Sequence, residues 1–100
     1  MVYSRGKSFA SPLLVTYVVP RRSGGIQLGI TSGKKIGNAV TRNRARRVIR
    51  AAFRACEKEL NPDCSAFIVF VARTRTAPAK STAVAKAMLQ HLKDAGVARS

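Results

Sequence analysis

Acidic side chains are scarce in this 100-residue chain: four of them, Glu57, Glu59, Asp63 and Asp94, stand against nineteen Lys and Arg. The four show no spacing suited to a paired acid and base or to a two-metal clamp, so the chain carries no equipment of its own for hydrolysing a phosphodiester. Histidine is limited to His91, expected near the end of a surface helix, and no cysteine or serine has an evident base beside it. Two cysteines and one distant histidine make no zinc site. The spacing of Cys56 and Cys64 allows a disulfide closing a short loop, but Cys56 falls on an apolar helical face where cysteine acts as a small hydrophobe, which favours free thiols. Gly24, Gly25 and Gly33 are turn glycines without the full spacing of a phosphate-binding loop. No apolar run reaches the roughly 18 residues that span a bilayer. The N-terminus also lacks the charged start, apolar block and cleavage site of a secretory signal. A cytoplasmic protein with no membrane partner is expected, and no protein partner is predicted.

What the chain has in excess is positive charge. A net charge of +15 implies strong attraction to RNA, DNA or anionic lipid that weakens steeply with salt, while 46% hydrophobic content suffices for one small domain over residues 1–100. The segment KKIGNAVTRNRARRVIRAAFR, residues 34–54, holds eight cationic residues and no acidic one. From Ala39 onward it reads as a helix with Ala45, Val48, Ile49, Ala52, Phe53 and Cys56 on one side. Arg46, Arg47, Arg50 and Arg54 fall on the other, with the hydrogen-bonding amide of Asn43 near the middle of the arc. A merely solvated helix face mixes signs at four-residue spacing, which this one does not. Crowded arginines repel one another, and a polyanionic ligand relieves that cost.

The remaining segments divide into short elements. Lys7 to Ala10 and Leu13 to Val19 read as strands, the second ended by Pro20. After the RRSGG turn, Ile26 to Thr31 alternates as a third strand, expected to form an antiparallel hairpin with the second. Asn38 is the candidate N-cap of the arginine helix, which should end near Leu60 because Asn61-Pro62-Asp63 is a turn signal. Ala66 to Ala72 is apolar throughout and predicts a central strand covered on both faces, with Arg73 and Arg75 following as the chain reaches solvent. Thr82 to Leu92 predicts an amphipathic helix with Val84, Ala85, Met88, Leu89 and Leu92 at core spacing, and residues 95–100 are expected to form a flexible tail. The order βββαβα implies an α+β domain: a four-stranded sheet with helices packed on one face.

At the Arg42-Asn43-Arg44 core and the basic residues after it, the sequence resembles the protein subunit of bacterial ribonuclease P. Tyr17 in the strand before the turn, the LGITSGKK lead-in, the apolar strand ending in Ala72-Arg73 and the closing amphipathic helix follow that family's order, so the resemblance covers roughly residues 2–94. It implies an αβββαβα, ribosomal-protein-like fold with a left-handed βαβ crossover, contrary to the general right-handed preference. It also implies an accessory subunit of an endoribonuclease that removes the 5′ leader of precursor tRNA, with Mg²⁺ held by the catalytic RNA subunit and none by the protein alone. On the family pattern Arg42, Asn43, Arg44, Arg46, Arg47 and Arg50 dock against that RNA, with Lys34, Lys35 and Arg54 extending the surface. Tyr17, and secondarily Phe9 and Tyr3, would contact or stack on leader nucleotides in a cleft, with a place in the core an equal alternative for Phe9. Family members begin with a further helix of about four turns. This sequence opens at Met1-Val2-Tyr3, so residues 1–6 are read as a truncated N-terminal element, with one wall of the leader cleft expected to be missing.

Two other classes fit the same electrostatics. A structural RNA-binding protein, such as a ribosomal protein, would co-purify with a different RNA. A DNA-binding module would set the arginine helix in a major groove, where one amide, Asn43, among arginines offers little varied base readout.

Overall fold

The computed structural model describes residues 6–98. Strands β1 (Lys7–Ala10), β2 (Leu14–Pro20) and β3 (Ile26–Thr31) precede helix α1 (Ala39–Cys56), strand β4 (Ala66–Ala72) and helix α2 (Ser81–Asp94), and the four strands form one sheet in the order β1-β2-β4-β3. The α+β class and the βββαβα order agree with the sequence reading.

The pairing of β2 with β3 does not. Strand β4 lies between them, antiparallel to β2, with Tyr17 opposite Val69, and parallel to β3, with Gly29 opposite Val69. The reason lies in β4 itself. A strand with apolar residues on both sides gains most where both of its hydrogen-bonding edges are paired, and AFIVFVA is the most apolar segment of the chain. The link of residues 21–25 therefore steps across the start of β4. Arg21 N–H donates to Ser65 O at 2.9 Å, and Ala66 N–H donates to Gly25 O at 3.1 Å. Gly24 and Gly25, with φ of 97° and 71°, supply the left-handed backbone that this wide link requires.

Period-two alternation decides which residues each strand buries. Leu14, Thr16 and Val18 of β2 and Ala66, Ile68, Phe70 and Ala72 of β4 are buried beneath the helices. On the opposite face Phe67 and Val71 remain partly exposed around a buried Val69, so β4 is central but not covered on both faces. Helix α1 starts at Asn38, whose Oδ1 accepts from Thr41 N–H at 2.9 Å and from the Thr41 hydroxyl at 3.0 Å. It buries Ala45, Ile49, Ala52, Phe53 and Cys56, and the Phe53 ring meets that of Phe70 at 6.0 Å. A 3₁₀ turn, Glu57–Glu59, then carries the chain to Leu60. Helix α2 contributes Val84, Met88, His91 and Leu92 to the same core.

Two further expectations are corrected here. His91 is not on the surface: it is 6% exposed, its Nδ1 lies 2.9 Å from Thr16 Oγ1, and its ring stacks on Phe9 at 5.9 Å. Residues 95–98 are not a tail. Val97 and Ala98 are buried, Ala98 bridges to Leu60, and Asn61 N–H donates to Val97 O at 2.9 Å. The apolar side chains after Gly96 can still fill the core, which outweighs the chain entropy of fixing them.

Candidate nucleic-acid interface

Because β3 and β4 are parallel, α1 must carry the chain back along the sheet, so its N-terminus lies at the end where both strands finish. Its C-terminus lies at the end where β4 begins, and α2, running back after β4, finishes there too. All four carboxylates consequently gather at that second end: Glu57 and Glu59 after α1, Asp63 before β4, and Asp94 at the last turn of α2. The first end carries Lys34, Lys35, Arg42, Asn43, Arg44 and Arg46 without an acidic residue between them. Charge is thus polarised along the sheet, and the field favours a polyanion at the α1 N-terminal end.

Side chains on α1 follow its helical geometry. Asn43, Arg44, Arg46, Arg47, Arg50 and Arg54 are exposed, while Arg42 is half-buried. Arg42, Asn43 and Arg46 line a cleft of about 220 Å³ with Ala39. In that group Arg46 Nε donates to Ser32 Oγ at 3.0 Å, which ties the arginine to the loop after β3. Arg42 Nε is shielded from solvent without an acceptor, so a phosphate oxygen brought to it would satisfy a buried donor. Arg44 and Arg47 turn to another side, into a groove with Val48, Ala51 and Ser81 at the start of α2. Arg54 stands apart, twelve residues or about 18 Å along the axis from Arg42, in a depression shared with Ala55, Glu57 and Lys58. Lys34 and Lys35 belong to a 3₁₀ turn leading to α1, and Lys35 is exposed.

The aromatic candidates are not brought together. Tyr17 is half-buried on the sheet face away from the helices, in a row with Val69 and Gly29 and flanked by Val15, Val19, Phe67 and Val71. Gly29, on the far side of Val69 from Tyr17, leaves its place in the row to the Val69 and Phe67 side chains, which lie 3.6 and 3.7 Å from where its Cβ would stand. Phe9 pairs with Thr16 and stacks on His91, on the helix-covered face. Tyr3 lies outside the described residues. At the far end of the open face Val19, Arg21, Gln27 and Phe67 enclose a depression of about 300 Å³, in which Arg21 Nη1 is shielded without a partner. Sequence reasoning missed Ser32, Arg21 and Gln27. Alternation along β3 could have placed Gln27 on the open face, but nothing in the spacing reveals the hydrogen bond between Ser32 and Arg46.

The other reactive side chains are structural. Burial, reinforced by Glu59, pushes the Cys56 thiol up, and Cys56 Sγ lies 3.4 Å from Ala85 O, so it is no nucleophile. Burial lowers the His91 pKa, against a smaller upward pull from Asp94. Both cysteines are free. Among the described residues no three His, Cys, Asp or Glu side chains gather as a metal site, and no helix is long and apolar enough to cross a membrane.

Comparison with known proteins gives a concordant result. The family model for Ribonuclease P matches residues 1–96. The ribonuclease P protein component of Clostridioides difficile is 44% identical over 73 residues, 72% of this chain, and the chain spans only 62% of that relative's length. The corresponding component of Clostridium botulinum is 35% identical over 97 residues, covering 96% of this chain and 86% of that protein. The solved structure of the Staphylococcus aureus RNase P protein superposes with a TM-score of 0.77 at 28% identity, covering 98% of this chain and 88% of that one. The chain belongs to the ribonuclease P protein family.

Proposed function

We propose that this member of the family is the protein subunit of a ribonuclease P ribonucleoprotein, binding the catalytic RNA and the 5′ leader of precursor tRNA to assist 5′-end maturation of tRNA. The observation that carries the reading is the carboxylate-free cationic surface at the α1 N-terminal end, where Arg42, Asn43 and Arg46 share one cleft and Arg44 and Arg47 another. Guanidinium groups grip phosphate oxygens in pairs, and the Asn43 amide can both donate and accept beside them. Neutralised phosphates repel one another less, which lowers the Mg²⁺ concentration that a folded RNA and its substrate need.

The open sheet face supports the second half of the reading. A single strand laid along it meets Tyr17 for stacking, apolar side chains at Val15, Val19 and Phe67, and Arg21 near one end. In this reading Mg²⁺ stays with the RNA, and the chain's own residues position and neutralise. Replacing Arg46 and Arg50 by Ala tests it. Binding to bacterial ribonuclease P RNA should weaken, and the slope of log affinity against log salt should flatten by about 0.7 to 0.9 for each phosphate no longer neutralised. An unchanged slope would remove this surface from the interface.

A further inference from the structure

Ser32 is uncharged and lies before the basic segment, yet it makes the bond that fixes Arg46: Arg46 Nε donates to Ser32 Oγ at 3.0 Å. Arg46 is exposed, two turns into α1, with Arg42 and Arg50 at four-residue spacing on either side. Like charges at that spacing repel, and a long side chain on an open helix face samples many rotamers. The acceptor that restrains it is itself held. Ser32 is half-buried and directly follows Thr31, the last residue of β3. Beyond it Ile36 N–H donates to Gly33 O at 3.1 Å, Ile36 packs against the core, and Asn38 caps α1. The strand and the loop, and not α1, therefore set the place of the oxygen that meets Arg46.

The bond also decides which edge of the guanidinium faces outward. A guanidinium is a rigid fork that grips an anion either through Nε and one Nη or through both Nη. Ser32 takes the Nε of Arg46, which leaves the pair of Nη groups for a ligand. Arg42, in the same cleft, has the opposite arrangement, with Nε shielded from solvent and without an acceptor. The two side chains thus offer different edges to one polyanion, and Arg46 does so from a fixed place. Holding a rotamer-rich side chain before binding removes part of the ordering cost of association.

We infer that Ser32 is a positioning residue for RNA binding: its hydroxyl holds the Arg46 guanidinium in the orientation in which it meets a phosphate. The inference rests on the proposed function in taking RNA as the ligand. It adds to that reading a neutral side chain on which affinity depends although it carries no charge to the interface.

A double-mutant cycle tests it, with bacterial ribonuclease P RNA as the probe: Ser32→Val, Arg46→Ala and the two combined, beside Ser32→Thr, which has the shape of valine but keeps a hydroxyl. Ser32→Val should weaken binding about two- to tenfold, the range for leaving one long side chain to be ordered on association. Ser32→Thr should restore it. No charge is lost in Ser32→Val, so its slope of log affinity against log salt should equal the parent's, whereas Arg46→Ala flattens the slope. In the Arg46→Ala background Ser32→Val should have no further effect. The Arg46 Nε–H signal in NMR spectra should lose its protection from solvent exchange in Ser32→Val and keep it in Ser32→Thr. Should Ser32→Val lower the melting temperature, Ser32→Ala, which only removes an atom, reads the same cycle. Parent-like binding by the Ser32 variants while Arg46→Ala is weakened, or weakening of equal size with and without Arg46, would overturn the inference and leave the proposed function standing. If Arg46→Ala itself binds like the parent with an unchanged slope, the inference falls together with the surface that carries the proposed function.

Discussion

Thr16→Val removes one hydroxyl from the middle of the core and tests how the buried His91 is held. Thr16 is fully buried, its Oγ1 lies 2.9 Å from His91 Nδ1, and the imidazole is 6% exposed. Valine copies the shape of threonine but not its hydrogen bond, so the variant leaves a buried ring nitrogen without its partner. Such an orphan costs about 1–3 kcal/mol, and each kcal/mol lowers the melting temperature of a domain this size by about 4–8 °C. The expected fall at neutral pH is therefore at least about 4 °C. The same group sets a pH dependence. Burial lowers the folded-state pKa of His91 below its ordinary 6.5, so between the two values the unfolded chain binds more protons than the folded one. Stability is then lost as pH falls below 6.5 and levels off below the folded value. Urea and thermal unfolding followed by circular dichroism from neutral to mildly acid pH would read both effects, with His91→Gln removing the titration. Unaltered stability in Thr16→Val, or an acid decline that persists in full in His91→Gln, would refute this account of the core.

Other outcomes follow from the same packing. Asn38→Ala removes the acceptor for Thr41 N–H and should cost about 0.5–2 kcal/mol in urea unfolding, since Asn38 is the side-chain cap of α1. Phe70→Ala empties the centre of β4 opposite Phe53 and should cost about 3–5 kcal/mol, a large share of the roughly 5–15 kcal/mol expected for a domain; a variant that melts like the parent would contradict the packing. Tyr17→Ala should weaken binding to precursor tRNA and spare mature tRNA, and equal weakening for both would exclude a role in holding the leader.

The positions of the elements were legible in the sequence because each carries its own local signal. The Asn38 cap, the apolar arc from Ala45 to Cys56 and the alternation of Leu14, Thr16 and Val18 are decided within a few residues. Strand pairing is not local. Gly24 and Gly25 read as a hairpin turn, and only the competition of β4 for the central place shows that the link must step over a strand. The basic face of α1 was legible for the same local reason. His91 was misplaced because its face depends on partners far along the chain, 75 residues away in the case of Thr16. Arg73 and Arg75 were visible as cations, but the bond from the nearby Thr76 hydroxyl to Leu13 O, 63 residues away in the chain, was not.

The central claim is that this chain assists a catalytic RNA. Cleavage of a 5′-labelled precursor tRNA by bacterial ribonuclease P RNA at low Mg²⁺, with and without the protein, tests it most directly. Faster release of the leader when the protein is added, weakened by Arg46→Ala/Arg50→Ala, is the predicted result. Cleavage at the same rate with a folded protein present at saturating concentration would contradict it.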